Sequence, residues 1–459
     1  MAQSTGRHRL TVLLVICAVV RLFVGCIGLD SLREDRDDYG RLAVTFAATG
    51  TFGYPEAGGL MHPTAYRPIL YPWILSWFAG RDGLFLPAVM LCHVILALVT
   101  IAGVDRIAQR HLGRWSWMPA VAVALDPILL RHQQLVMTET LAAALAVVVW
   151  ELTEDALKAS GNTITSRRRT ALRYFVVGLV LGVSALARPT ALPWALLIML
   201  LAMMRTIEWP QKLTNASAVL LGISCLLLPW GVRNAQQVDR FTVTTTHGGY
   251  TLLLANNPSI YDHFREQGFS RAWDAESFHQ HWADRRSGDP RDPKFWKSEL
   301  SEPNGAPQID ELADDQLAGE AAMATINREP WMFLESCVIR ISWLWAVAPE
   351  PLTSNDAEES QRSKAVRWSI GIWYSLWFIA ATVGLLRMLR RRALQQWTVP
   401  LALVLSLTAV HAVYWSNMRM RAPLMPVVYV IGSYGILSSV SRRRAGRELD
   451  ASQPANAVV

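Results

Sequence analysis

Ten stretches of this 459-residue chain are nearly unbroken apolar runs, at 10–29, 84–105, 115–131, 135–152, 172–187, 190–204, 214–231, 368–386, 398–415 and 422–440. Each is long enough, or nearly so, for a helix to cross about 30 Å of hydrocarbon. In that medium every backbone N–H and C=O must be satisfied within its own segment, which selects the helix. The pattern predicts an all-α polytopic membrane protein of about ten transmembrane helices, or eleven if 331–348 also crosses. Residues Trp331 to Ala348 are apolar and Trp-rich but carry Glu335 and Arg340, so they read as an interfacial or half-inserted helix. The run from Tyr71 to Ala79 is too short to cross and reads as a helix entering the membrane after Pro72. The first run lacks a small-residue cleavage site and reads as a retained helix.

Basic residues set the orientation. Arg7 to Arg9, Arg106 to Arg114, Arg167 to Arg173, Arg205 to Lys212, Arg387 to Arg392 and Arg442 to Arg447 all fall on one side if every run spans once, which makes that side, and both termini, cytoplasmic. The opposite side receives the loop after the first span, the Arg131 to Thr138 link, the Arg188-Pro189 corner, the segment from Gly231 to Arg367 and the Asn417 to Arg421 link. The chain thus divides into an N-terminal membrane module (1–231) with an outer loop at 30–80, an extracytoplasmic segment (232–367), C-terminal membrane helices (368–441) and a cytoplasmic tail (442–459), which reads as polar and disordered from Arg447 onward. Within the outer segment, Asp310 to Asn327 reads as an amphipathic helix.

Composition agrees: 52% hydrophobic residues and 19 Trp do not suit a soluble globular chain. The net charge of +7 comes from Lys and Arg clustered between apolar runs, the pattern of membrane loops, so nucleic acid is not an expected partner. The five cysteines show no paired or metal-type spacing and read as apolar filler, and His62, His132 and His247 lack a second ligand at metal-binding spacing.

The candidate chemistry collects on the outer side. Between Arg33 and Pro72 the first loop holds Glu34, Asp35, Asp37, Asp38, Glu56 and the element Tyr66-Arg67-Pro68. Carboxylates there would take a proton from an acceptor or hold a cation beside a lipid phosphate; the alternative is solvated surface charge. Glu139 opens the fourth run at a depth where an acid must pair or face a cavity, with Arg131 or Arg188 as structural partners. Asp126, followed by Pro127, is a weaker candidate of the same kind. Arg188 and Arg233 close the fifth and seventh runs, where they would bind phosphate or merely complement helix dipoles. Arg419 and Arg421 sit on the outer side against the positive-inside tendency and need an anionic partner.

These residues form an ordered set: Asp35-x-x-Asp38-Tyr39, Leu42-Ala43, Thr49-Gly50, Tyr66-Arg67-Pro68-x-x-Tyr71-Pro72, Thr138-Glu139, Ala187-Arg188-Pro189-Thr190, Pro229-Trp230-x-x-Arg233-Asn234, Gly248-Gly249, Asn256-Asn257-Pro258 and Arg419-x-Arg421-x-Pro423. The set resembles GT-C type membrane glycosyltransferases, the class of protein O-mannosyltransferases and the aminoarabinose transferase of lipid A. The resemblance implies a GT-C-like architecture in a bacterial inner membrane. It also implies transfer of a hexosyl or pentosyl group from a polyprenyl-phosphate-linked sugar to a lipid, glycan or protein acceptor at the outer face. Asp35 or Asp38 is then the expected general base, with Asp37 supporting position or, together with Asp35, Asp38 or Glu139, a divalent cation. Tyr66, Arg67, Glu139, Arg188, Arg233, Asn257, Arg419 and Arg421 would contact the donor. The chain departs from the usual adjacent Asp-Glu pair by offering Asp37-Asp38 and a separate Asp35. The rival functions are a flippase or transporter of lipid-linked sugars, which would place charges in mid-span and show symmetric halves, and a non-catalytic scaffold of the same fold.

Overall fold

The computed structural model describes residues 2–55, 60–159, 164–204, 208–269, 273–285, 288–298, 310–349 and 357–452; Glu56, Arg205 and residues 453–459 of the tail lie outside them. The first half forms α1 (Ala2–Ile27), α2 (Tyr39–Thr49), α3 (Leu70–Ser76), α4 (Leu86–Leu112), α5 (Trp117–Ala124), α6 (Pro127–His132), α7 (Glu139–Lys158), α8 (Ile164–Ala187), α9 (Ala191–Met204) and α10 (Trp209–Gln237). The outer segment supplies α11 (Gly248–Ala255), α12 (Pro258–Gln267), α13 (Glu276–Ala283), α14 (Glu311–Arg328) and α15 (Pro330–Leu344). The chain closes with α16 (Ala357–Arg390), α17 (Thr398–Val413) and α18 (Met425–Ser452).

Among the described residues, seven helical stretches are long and apolar enough to cross a membrane: His8–Ile27, Leu86–Trp115, Ser166–Ala187, Trp209–Gln237, Ser363–Arg390, Leu394–Val413 and Met418–Ser438. The other three expected spans differ for separate reasons. The run at 190–204 becomes α9, apolar but only 14 residues, about 21 Å long at 1.5 Å per residue. The run at 135–152 becomes α7, which starts only at Glu139 and extends through the charged Glu151, Glu154, Asp155 and Lys158. The run at 115–131 is not one helix. Pro127 lacks an N–H and pushes Asp126 into an extended conformation (ψ 123°), so α5 stops and α6 starts afresh. The buried Asp126 carboxylate caps α6 at Leu129 N (2.7 Å) and accepts the hydroxyls of Tyr374 (3.1 Å) and Tyr429 (2.5 Å), tying the break to α16 and α18.

Helices α8 and α10 touch backbone to backbone because Gly178 and Gly222 leave no room for a Cβ at the crossing, the small-residue packing favoured between membrane helices. Val15, Val19, Phe23 and Ile27 of α1 and Trp368, Ile372 and Leu376 of α16 are exposed at four-residue spacing, one outward stripe on each helix that suits lipid. The outer segment has its own core, in which Trp296 stacks on Phe278 (5.4 Å, 4° between planes) against Leu253, Ala318, Ala321 and Ala322. Two very short antiparallel pairs, Gly53–Pro55 with Met61–Pro63 and Ala79–Gly80 with Gly83–Leu84, are the only strands among the described residues.

Candidate active site

The first outer loop is shaped by Asp35. Its two carboxylate oxygens accept the Gly40 N–H (3.0 Å) and the Arg41 N–H (2.7 Å), satisfying donors at the open N-terminus of α2. Asp38 takes a left-handed conformation (φ 59°, ψ 16°), tolerable for Asp, and this turn starts α2. Tyr39 is buried edge-on to Tyr71 (5.4 Å), whose hydroxyl lies 2.7 Å from His93 Nε2. The turn leaves Asp37 as the carboxylate that meets the arginines.

Asp37 Oδ1 lies 3.5 Å from Arg67 Nη2 and its Oδ2 lies 3.6 Å from Arg419 Nη1. Arg419 Nε is 3.9 Å from Glu139 Oε1, and Glu139 Oε1 pairs with Arg188 Nη2 at 2.7 Å. Arg188 Nε also donates to Thr138 Oγ1 at 2.6 Å, and Arg419 Nη1 approaches Met137 Sδ at 3.4 Å. A chain of alternating charge, Arg67–Asp37–Arg419–Glu139–Arg188, therefore joins the first loop, the start of α7, the end of α8 and the 3₁₀ turn Met418–Leu424 ahead of α18. Three guanidinium groups face two carboxylates, so one positive charge is left over, which favours an anion. Arg67 Nε, Arg419 Nε and Glu139 Oε2 are buried without a hydrogen-bond partner, unusual for polar atoms at that depth.

An aromatic wall flanks Arg67. Its guanidinium lies 5.2 Å from the Tyr66 ring centre and 5.8 Å from that of Tyr39. Tyr66 meets His247 at 4.2 Å, and His247 stacks on Tyr250 at 5.1 Å. Burial, opposed by the Arg67 charge, pushes the Tyr66 hydroxyl above its ordinary value, so it stays neutral. Burial and then Arg67 push His247 down to about 3. The wall is held from behind by Glu311, the first residue of α14. Its carboxylate accepts Thr64 Oγ1 (2.5 Å), Ala65 N (3.1 Å) and the Thr246 hydroxyl, and Thr246 N in turn donates to Ala65 O (3.0 Å).

The remaining sequence candidates are engaged elsewhere. Asp35 and Asp38, the expected bases, form no ion pair with the arginine chain; Asp35 is the α2 cap described above and Asp38 forms the turn. Arg233 donates to Thr64 O (2.7 Å) and Phe52 O (2.8 Å) and packs over Trp230, so it braces the loop. Asn257 is fully buried, caps α12 at Ile260 N (3.0 Å) and donates to Leu253 O (3.0 Å), which leaves it no freedom to meet a sugar. Arg421, also fully buried, donates to the Leu344 and Ala346 carbonyls and lies over the Tyr374 ring at 4.4 Å; it anchors the 3₁₀ turn that carries Arg419. Asp126 is consumed by the α6 cap and its tyrosines. A divalent cation does not fit Asp35, Asp38 and Glu139 either. Asp35 is engaged by backbone donors, Glu139 Oε1 is paired with Arg188, and the surrounding guanidinium groups repel a cation; among the described residues no three His, Cys, Asp or Glu converge. His247, Tyr250 and Glu311 were not singled out as site residues from sequence. The only signal was their setting, Gly248-Gly249 beside His247 and an amphipathic helix starting near Glu311.

No family model and no curated protein sequence matches the chain. Among solved structures, it is similar to the archaeal oligosaccharyltransferase AglB from Archaeoglobus fulgidus, in complex with an inhibitory peptide and a dolichol-phosphate: TM-score 0.53, 13% identity, over 99% of this chain and 53% of that one. The apo form of the same oligosaccharyltransferase gives TM-score 0.54 at 12% identity, over 98% and 53%. ArnT from Cupriavidus metallidurans bound to undecaprenyl phosphate aligns over 96% of this chain and 81% of its own, at TM-score 0.43 and 15% identity. The chain spans about half the length of the oligosaccharyltransferase, whose fold it shares. That fold is of the GT-C type that the motif order resembles, in a multi-pass integral membrane protein.

Proposed function

We propose that this chain is a membrane glycosyltransferase that moves a hexosyl or pentosyl group from a polyprenyl-phosphate donor to a lipid, glycan or protein acceptor at the extracytoplasmic face. The observation that carries the reading is the half-buried charge chain with its surplus positive charge and orphaned polar atoms. The dolichol-phosphate in the AglB structure supports a donor of this chemistry. Arg67 and Arg419 bind the donor phosphate, while Glu139 and Arg188 hold Arg419 in place. Asp37, between the two phosphate-binding arginines, is the general base in place of Asp35 or Asp38.

In the reaction the acceptor oxygen or nitrogen attacks the anomeric carbon as its proton passes to Asp37. The bond from that carbon to the phosphate oxygen breaks, and polyprenyl phosphate leaves with its charge met by the guanidinium groups. The finer organisation belongs to the same proposal: about ten crossings, both termini cytoplasmic, a bacterial inner membrane, 232–367 as the outer segment with α15 at the interface, and 442–459 as a cytoplasmic tail. Apart from Arg21, whose guanidinium is taken up by Val123 O and Gln133 Oε1, the candidate charges gather at one set of helix ends, which favours an enzyme over a flippase that needs them along a path through the bilayer.

The test is transfer by the purified protein from a panel of undecaprenyl-phosphoryl sugars, comparing wild type with Asp37→Asn, Asp35→Asn and Asp38→Asn. Product formation that Asp37→Asn alone abolishes supports the assignment. Turnover unchanged in Asp37→Asn would reject Asp37 as the base, and sugar-lipid translocation without transfer would favour the flippase.

A further inference from the structure

Arg67 divides the charged cluster from an aromatic one of different character. On one side lie Asp37, Arg419, Glu139 and Arg188; on the other lie Tyr66, His247 and Tyr250. His247 Nδ1 is buried with no hydrogen-bond partner, like the orphaned Arg67 Nε and Arg419 Nε across the divide. An imidazole wedged between two tyrosine rings as apolar filler would not need a buried ring nitrogen with no partner.

We propose that His247, between Tyr66 and Tyr250, is a specificity-determining residue that accepts a hydroxyl of the donor sugar at Nδ1, selecting a neutral sugar over an amino sugar at that position. This rests on the glycosyltransferase reading and adds the class of sugar to it. The two tyrosine rings fix the imidazole between them, and the neutral imidazole offers an acceptor at Nδ1. An ammonium group on the sugar would be opposed by the Arg67 charge, which already disfavours protonation of His247 itself. Nor is Glu311 free to hold such a cation, since Thr64, Ala65 and Thr246 occupy its carboxylate. His247 is steered into the wall by its neighbours: Asp315 of α14 caps the following turn at Gly249 N (2.7 Å) and Tyr250 N (3.3 Å), and Thr251 N returns to His247 O (3.2 Å).

The experiment measures binding of four probes to the full-length protein in lipid nanodiscs: undecaprenyl phosphate, its neutral hexosyl and pentosyl esters, and an amino-pentosyl ester. At least one neutral ester is expected to bind about tenfold more tightly than the bare phosphate, the scale of one good hydrogen bond. His247→Ala should remove most of that increment and leave the bare phosphate within about twofold. His247→Asn keeps an acceptor at the Nδ1 position and should restore much of it, whereas Arg67→Ala should weaken all four probes. The assignment is overturned if His247→Ala leaves every sugar increment intact, weakens the bare phosphate equally, or if the amino-pentosyl ester binds as tightly as the best neutral one. Undecaprenyl phosphate that binds in an Arg67-dependent way without any sugar increment sinks His247 alone. Failure of undecaprenyl phosphate to bind at all sinks the parent reading with it.

Discussion

Asp35, Asp37 and Asp38 lie within four residues of one another, and their environments assign them different work. Asp35 holds two backbone N–H groups, so Asp35→Asn should cost about 1 kcal/mol of stability, the scale of a lost helix cap, read as a lower midpoint of thermal unfolding. Asp37→Asn should instead leave the unfolding midpoint nearly unchanged and lower kcat by about 10²–10⁴-fold, with donor KM shifted only a few-fold. His247 carries its own pH signature. Its native pKa lies near 3, below the 6.5 of an unfolded histidine, so below pH 6.5 the unfolded chain binds a proton that the native protein refuses. Its contribution to stability is complete above pH 6.5 and is lost as pH falls toward 3; Arg67, Tyr66, Tyr250 and the Glu311-bound turn are the groups around it. His247→Asn should flatten the fall of the unfolding midpoint across that window. The sequence already named Asp37, Arg67, Glu139, Arg188 and Arg419 as candidates, Glu139 because a charge at membrane depth is costly and demands a partner, the others from their place in the loop, at helix ends and in the motif order. It placed Asp35 and Asp38 ahead of Asp37, because the left-handed turn at Asp38 that decides which of them faces the arginines leaves no mark in the sequence.

The elements differ in how openly they announced themselves. Apolar runs were legible wherever a helix was uninterrupted, and misread at 115–131, where Asp126-Pro127 breaks the helix inside an apolar stretch. The arginines at helix ends look alike in sequence, yet Arg188 pairs with Glu139 while Arg233 and Arg421 spend their donors on carbonyls. Breaking the Glu139–Arg188 pair with Glu139→Ala should cost about 2–3 kcal/mol, because it leaves the half-buried Arg188 guanidinium with only Thr138 as a partner. A fall in the unfolding midpoint no larger than that of a surface substitution would contradict this. Between elements, Glu311 is the latch that holds the Thr64 and Thr246 turns together. Glu311→Ala should destabilise by about 2 kcal/mol and raise donor KM more than it lowers kcat, since it loosens Arg67 and His247 without touching Asp37.

For the whole molecule, the proposed arrangement requires the first loop and the end of α16 to lie on opposite sides of the membrane. Single cysteines at Arg36 and Arg391, both exposed, introduced into a background without the five native cysteines, should be labelled by a membrane-impermeant thiol reagent from opposite faces; labelling from the same face would refute the crossing pattern. Membrane residence, the helical class and the collection of candidate chemistry at one set of helix ends follow from the chain alone, because hydrocarbon forbids unsatisfied backbone and the cost of burying charge restricts where it can stand. Tertiary structure decided which of those charges meet. Arg67, Arg188 and Arg419 are separated by more than a hundred residues in sequence, and only the packing of α7, α8 and the turn before α18 around the first loop brings them to the same two carboxylates. Glu311 and His247 stayed hidden for the same reason: hydrogen bonds and ring contacts between distant segments leave no periodicity in the sequence to read.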